Sequence, residues 1–250
     1  MARQSNIFTS EGKVGQASFY KSKKKGYLVR QKGGVSAARM ANDPAFENTR
    51  KNAAEFGRAG QANKLLRTTF TSLLVNSGGG NAIQPLTKLF MQVVQADTTG
   101  KFGERVVLDP NLTMLEGFEF NPDASLSTTM AAPYTATIDR AAGHLTVVIP
   151  PYLPQQTIKA PQSATHYRIV IGSAEIDFQN GATVSMNQQE SAPLPLDSNA
   201  TPALNLQAIA TPGSALPLFL VLGIQFFIMV NNHLNPVRSS NALQLVKVSV

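Results

Sequence analysis

The spacing of apolar residues changes character at Gly100. From residue 43 to about 97 apolar side chains recur with the 3.6-residue period of a helix. After Gly100 they come in short alternating or unbroken runs, at 105–108, 118–120, 135–138, 145–149, 166–171, 176–178, 183–186, 203–209, 218–230 and 243–250. Turn pairs such as Asp109-Pro110, Asn121-Pro122, Asn180-Gly181 and Asn235-Pro236 separate the runs. Helices gathered in one stretch and strands in another do not interleave as βαβ units. The pattern therefore predicts an α+β chain whose residues 101–250 form an antiparallel β-sandwich, jelly-roll or immunoglobulin-like. With 43% hydrophobic residues in 250, such a domain can bury a sizeable core.

The helical stretch, residues 41–100, has clear punctuation. Asp43 suits a cap, Pro44 the first helical position, and Glu47 adds favourable charge in the first turn. Phe46, Ala53, Phe56, Gly60, Leu66, Phe70 and Leu73 then follow the helical period to about residue 75. The middle is crowded with small residues: Ala53, Ala54, Gly57, Ala59, Gly60 and Ala62. Each internal glycine costs about 1 kcal/mol of helix propensity relative to alanine. Keeping Gly57 and Gly60 in one turn predicts close approach by another backbone; the alternative is a kink near them. A glycine run at 78–80 ends the helix, and a second helix over about 82–97 carries the stripe Leu86, Leu89, Phe90, Val93 and Val94. So short a link predicts an antiparallel helical hairpin. The glycine run lacks the Lys-Ser/Thr of a phosphate-binding loop and reads as helix punctuation.

Residues 1–40 form a third region, a basic β-hairpin arm. Phe19 and Tyr20 on one strand and Tyr27 and Val29 on the other flank a turn containing Lys21, Lys23, Lys24 and Lys25. An isolated two-stranded hairpin is marginal in water, so it needs a surface, its own or a neighbour's. Charge is polarised along the chain: residues 1–70 carry eight lysines and six arginines against four acids, net +10, and the remainder is net −3. Such a chain can bind polyanions, or its basic part can bind the acidic part of another copy. Candidate contacts with a polyanion or acidic partner are Lys21, Lys23, Lys24, Lys25, Arg30, Lys32, Arg50 and Arg58. Candidate self-assembly residues are Phe19, Tyr20, Tyr27, Val29, Phe56, Gly57 and Gly60.

Catalytic chemistry is hard to place. Without cysteine there is no disulfide, thiolate metal site or cysteine nucleophile. His144, His166 and His233 lie far apart and read as strand-edge residues, and the common hydrolase, zinc-protease, calcium-loop and nucleotide-loop patterns are absent. Glu175 and Asp177 would share one strand face and offer a cation site; Glu116 and Glu119 are a second acidic pair. The Glu175–Asp177 pair reads more simply as solvent-facing. We expect no enzyme, cofactor or small-molecule substrate. The apolar stretch 218–230 is too short for a membrane helix and reads as a buried strand. Residues 1–8 lack an apolar core of secretory length, which predicts a cytoplasmic, virion or non-classically exported protein.

The N-terminal block Gly15-Gln16-Ala17-Ser18-Phe19-Tyr20, with Gly26-Tyr27-Leu28-Val29-Arg30-Gln31-Lys32-Gly33-Gly34, Asn42-Asp43-Pro44-Ala45-Phe46 and Glu55-Phe56-Gly57-Arg58-Ala59, resembles a family of bacterial proteins with no assigned activity. The likeness covers the first hundred residues and, patchily, the β region (Ala164-Thr165-His166-Tyr167-Arg168 and Asn241-Ala242-Leu243). It implies no catalytic residue and no ligand. The functional expectation is a self-assembling structural subunit of a filament, tube or shell, held together by arm and helix exchange between copies; a phage virion component is a variant of it. The alternatives are a nucleic-acid-binding protein using the basic third, or an enzyme or carbohydrate-binding sandwich.

Overall fold

The computed structural model describes residues 2–3, 11–31, 33–77 and 82–250, and the chain divides into two units, Met1–Arg50 and Lys51–Val250. The glycine run 78–80 and Lys32 lie outside the described residues. The boundary expected near residue 40 falls at Arg50. None falls near residue 100, because helices and strands beyond that point share one core.

The first unit is more than a hairpin. Its strands are β1 (Ala2–Arg3), β2 (Gly12–Val14), β3 (Ala17–Ser22) and β4 (Gly26–Gln31), an antiparallel sheet in the order β1-β4-β3-β2. The β3–β4 turn holds Lys23, Lys24 and Lys25 and closes at Gly26, whose φ of 72° suits a residue without a Cβ. Helix α1 (Ala37–Asn42) follows, capped by Ser36, whose hydroxyl accepts from the Arg39 N–H at 3.2 Å. Asp43 caps as expected, accepting from Ala45 N–H at 2.9 Å with Pro44 next to it. The element it starts is a single 3-10 turn, Pro44–Phe46, that leads into α2 (Glu47–Thr69).

Helix α2 passes through Gly57 and Gly60 without a break; the interruption comes at Phe70, before the short α3 (Thr71–Leu74). The expected kink at the glycines is therefore not formed. Neither is the close approach: a Cβ added at either glycine meets no atom within 4 Å. Helix α4 (Ile83–Gln95) matches its expected stripe, with Leu86, Phe90, Val93 and Val94 fully buried. Asn63 donates to Ile83 O at 2.9 Å and to Thr87 Oγ1 at 2.6 Å, tying the later part of α2 to the start of α4 as in an antiparallel pair.

The remaining elements are α5 (Leu126–Thr129), β5 (Thr135–Asp139), β6 (His144–Ile149), α6 (Pro154–Thr157), β7 (His166–Asp177), β8 (Ala182–Glu190), β9 (Leu194–Pro195), β10 (Leu204–Ile209), β11 (Leu218–Val230) and β12 (His233–Ser249). They build two antiparallel sheets. The larger runs β12-β11-β7-β8, with β9 also on β7; the smaller runs β10-β6-β5. One core lies between the helices and the larger sheet, with Leu66, Phe70, Phe90, Val170, Phe219 and Leu245 in it. The second lies on the other face, where Leu145, Val147 and Ala208 meet Ile169, Ile171, Leu220 and Leu222. Covered on both faces, β7 and β11 read as unbroken apolar runs rather than alternating ones. Among the described residues no helix is long and apolar enough to cross a membrane.

Several strand expectations change. Residues 105–108 and 118–120 are not strands; the second reaches β12 only through the bridge Glu119↔Gln244 and neighbouring backbone bonds. The runs 166–171 and 176–178 fuse into β7. Asn235-Pro236 is not a turn but part of β12, opposite Phe227. Proline is tolerated there because β12 is an edge strand. Simple alternation over 243–250 would set Lys247 on the face of Leu243 and Leu245. A bulge at Val246 shifts the register so that Val248 joins Leu243 and Leu245 in the helix-side core, while Lys247 reaches Ala136 O on β5.

Two kinds of glycine should respond oppositely to alanine. A Cβ at Gly223 would lie 2.7 Å from Ala242 O and 2.9 Å from Leu243 Cδ1, so Gly223→Ala should cost about 1–3 kcal/mol. Gly57→Ala and Gly60→Ala meet open space and should each add about 0.5–1 kcal/mol. Urea unfolding followed by circular dichroism at low protein concentration measures both.

Candidate functional site

The register of the N-terminal sheet sorts the predicted contact residues onto two faces. Phe19 stands opposite Val29 and Lys21 opposite Tyr27, so these four share one face. Tyr20 stands opposite Leu28 and Ser18 opposite Arg30, which places Tyr20 and Arg30 on the other. Cations lie over rings on both: Lys21 Nζ is 5.3 Å from the Tyr27 centroid, and the Arg30 guanidinium carbon 5.5 Å from that of Tyr20. Lys23, Lys24 and Lys25 are exposed in the turn. Within this unit Leu28 is the only buried apolar side chain among the described residues, and α1 and the 3-10 turn bury none.

The cations that follow are engaged by their own unit. Arg39 pairs with Asp43 at 2.9 Å and lies over the Phe46 ring. That ion pair, with the Ala45 N–H, holds the Asp43 carboxyl below the usual carboxylate range. Arg50, expected to face a polyanion, donates to Met40 O at 2.8 Å and Asp43 O at 3.0 Å and closes the segment before α2. Its Nη1 thus staples this segment.

Arg58 is engaged in the same way within the second unit. Its Nη1 donates to Gly103 O and Arg105 O, both at 2.9 Å. One helical turn earlier Glu55, fully buried, accepts from Arg105 Nε at 2.7 Å, Arg105 Nη2 at 2.8 Å and Gly103 N–H at 2.8 Å. The Arg105 guanidinium lowers the Glu55 pKa against the opposing effect of burial. Asp97 organises the same loop, accepting from Thr99 Oγ1, the Thr99 and Gly100 N–H groups and Val106 N–H; these bonds push its pKa far down. Sequence reading missed this cluster. Its members lie up to fifty residues apart, and the only local signal was a glutamate set among small residues.

The outward face of α2 is left bare. Phe56 is 59% exposed beside Gly57, which is exposed, and Gly60. Nearby, a hollow of about 770 Å³ is lined by Arg58, Lys64, Leu65, Val107, Phe178 and Asn180, with neither a carboxylate nor a histidine in its wall.

The acidic pairs are separated by their bonding. Glu175 is buried and accepts from Ser214 Oγ, Ser185 Oγ and Thr211 N–H, whereas Asp177 caps the β7–β8 turn by accepting from Gln179 and Asn180. The cation site they might have formed is not built. Glu116 accepts from Val248 N–H, while Glu119 is partly buried rather than solvent-facing. Each histidine opens a strand: His144 β6, His166 β7 and His233 β12. Among the described residues no group of three or more histidines and acids is placed to hold a metal. No protein-family model, curated protein or solved structure matches the chain, so the N-terminal likeness adds no residue role to these sites.

Glu119 gives the molecule a pH response of its own. Its Oε1 accepts from Leu126 N–H at 3.0 Å and Gln244 Nε2 at 2.7 Å, while its buried Oε2 has no partner among the described residues. Burial pushes its pKa from 4.5 up to about 7. The folded state thus holds this proton where the unfolded chain has released it. The resulting stability is complete below about pH 4.5 and declines as pH rises through 7. Wild type should lose about 1–3 kcal/mol across that window relative to Glu119→Gln, measured by urea unfolding at each pH. Asp97 and Glu55 act oppositely and below it, losing their contribution as the solution becomes more acidic than the ordinary carboxylate range.

Proposed function

We propose that the chain is a structural subunit that assembles with copies of itself, as a filament, tube or shell, through its N-terminal sheet and the bare face of α2. One observation carries the reading: a four-stranded sheet that, among the described residues, buries a single apolar side chain of its own unit, Leu28. Small sheets need an apolar face covered by something else to persist in water. Phe19, Val29 and Tyr27 share such a face. Exchange of this sheet onto a neighbouring copy satisfies the need, and contacts of that head-to-tail kind close into rings or continue as helices.

The bare glycines support the same reading. Gly57 and Gly60 reduce the propensity of α2 without admitting any backbone of their own chain, and Phe56 beside them stays exposed. An approaching helix from another copy would use both features. In this scheme the two facing sheets of residues 101–250 are the sandwich body that carries the arm. The charge polarity, +10 over residues 1–70 against −3 beyond, favours contact between the front of one copy and the body of the next.

Nucleic acid is the second reading, and one observation favours it: three adjacent exposed lysines in the β3–β4 turn, near Lys21 and Arg30 stacked on tyrosines. With Arg50 and Arg58 engaged elsewhere, its footprint shrinks to the sheet.

Electron microscopy of the purified full-length chain at several concentrations should show polymers, and raising salt from about 0.05 to 0.5 M should weaken them. Deletion of residues 1–34 should leave a folded, soluble protein that no longer polymerises. Unchanged polymers from the deletion would refute arm exchange. Tight, salt-sensitive DNA or RNA binding by an unpolymerised protein would favour the second reading.

A further inference from the structure

Four strands bound the two sheets of the second unit: β12 and β8 the larger, β10 and β5 the smaller. An unpaired strand edge is a row of N–H and C=O groups ready to take another strand, and folded chains blunt such edges. Three of the four are blunted here. Along β12 the backbone of Gly117, Phe118 and Phe120 bonds to Leu243 and Leu245. On β10 the Gln207 N–H donates to Gln189 Oε1 and the Ile209 N–H to Asn187 Oδ1, while Ile209 O accepts from Ser173 Oγ. On β5, only five residues long, Lys247 Nζ covers Ala136 O.

Strand β8 has no such cover. Facing residues of an antiparallel pair alternate between mutually bonded and unbonded. The Ser191 N–H donates to Ile169 O at 2.9 Å, so in this register the bonded pairs are Ile171–Gln189, Ser173–Asn187 and Glu175–Ser185. Met186, Gln188 and Glu190 therefore turn N–H and C=O away from β7, and these backbone groups make no hydrogen bond among the described residues. The bulge opposite Glu175–Ile176 lies near the start of the strand and leaves residues 185–190 in regular register. Neither lysine nor proline interrupts β8, and its one charge, Glu190, is its last residue.

We propose that β8 pairs antiparallel with β8 of a second copy across a two-fold axis, making the larger sheet continuous through both molecules. The charge pattern selects this occupant. A two-fold pairing sets a strand against its own reverse, so a charge near the middle would meet its like. The middle of β8 has none. Centred on Asn187, the pairing puts Met186 of each copy opposite Gln188 of the other, and the outward groups of both bond. Glu190 then faces Val184, and the two glutamates lie about 20 Å apart along the strands, beyond the ~8–10 Å reach of screened charges. A peptide from another protein would be chosen by pockets for its alternate side chains. Along β8, Thr183, Asn187, Gln188 and Gln189 are bonded to Thr69, Ile209, Ser72 and Gln207 of their own molecule, which leaves the backbone to be read. The contact uses neither the N-terminal sheet nor the bare face of α2, so it does not rest on arm exchange.

The test is hydrogen–deuterium exchange of the purified full-length chain at about 1 and 100 μM, read by mass spectrometry on peptides within residues 182–190. The outward amides of Met186, Gln188 and Glu190 should exchange about three- to tenfold more slowly at the higher concentration, since the unpaired fraction of a dimer falls with concentration by mass action. Gln188→Lys sets two lysines close together across the axis and should remove the difference. So should Gln188→Pro, which deletes an outward donor but no backbone bond to β7. Circular dichroism shows which variants are folded, and either one serves. The proposal is overturned if exchange along wild-type β8 is the same at both concentrations, or if a folded variant keeps the wild-type dependence. Polymers seen by microscopy with concentration-independent β8 exchange would overturn this contact and leave arm exchange standing; a protected β8 without polymers would support this contact and count against arm exchange.

Discussion

Coverage of one sheet from both sides is the constraint on which the second unit depends. Strands β7 and β11 lie at the centre of the larger sheet, with helices on one face and β10-β6-β5 on the other. Apart from Arg168, whose side chain is partly exposed, these stretches have no solvent-facing position, so nearly every residue from Tyr167 to Ile176 and from Leu218 to Phe226 must be apolar, small or internally bonded. The exceptions prove informative. Ser173 donates to Ile209 O at 2.7 Å, and Glu175 takes hydroxyl and amide donors from Ser214, Ser185 and Thr211. Space is tight on the helix face, where a Cβ at Gly172 would come 2.7 Å from Leu73 Cδ1 and 3.0 Å from Val221 Cγ2.

The helical layer is locked to the remainder by polar chemistry as well as apolar burial. The Glu55–Arg105 pair is taken out of water, which costs several kcal/mol per ion and is offset only when geometry is good and further hydrogen bonds complete it. Here the carboxylate takes both Arg105 nitrogens and the Gly103 N–H, while Arg58 occupies the carbonyls of the same loop. The loop from Asp97 to Val106 is thereby set into a single conformation. Gly103, at φ 95°, lets Lys51 pack within 2.5 Å of where a Cβ would be. Arg58 is thus bonded to this loop, as Arg50 is to Met40 O and Asp43 O, so charges conspicuous in the sequence are partly taken up within the chain.

What could be read from the sequence was what depends on local period and punctuation. Asp43-Pro44, the α4 stripe, the hairpin around the lysine turn and the apolar strand at 218–230 all declare themselves within a dozen residues. What could not be read depends on pairings far apart in the chain. The fusion of 166–171 with 176–178 requires knowing that Gly172 and Ser173 face two different layers. The placement of Pro236 inside β12 requires knowing that this strand lies at an edge. The reversal of Val248 follows from a bulge that only the register with β11 reveals. Of the site residues, those on the arm were grouped by sequence proximity, and the pleat then put Tyr20 on the face opposite Phe19, Tyr27 and Val29.

A chain in which local preference, packing and polar satisfaction all agree leaves little for outside partners to complete, and most of the second unit is of that kind. Agreement fails where apolar cover is lacking: among the described residues the N-terminal sheet buries one apolar side chain of its own unit, Leu28, and on α2 Phe56 stands exposed beside Gly57 and Gly60. Both are deficits of area, which a second protein surface relieves and added hydrogen-bond partners would not.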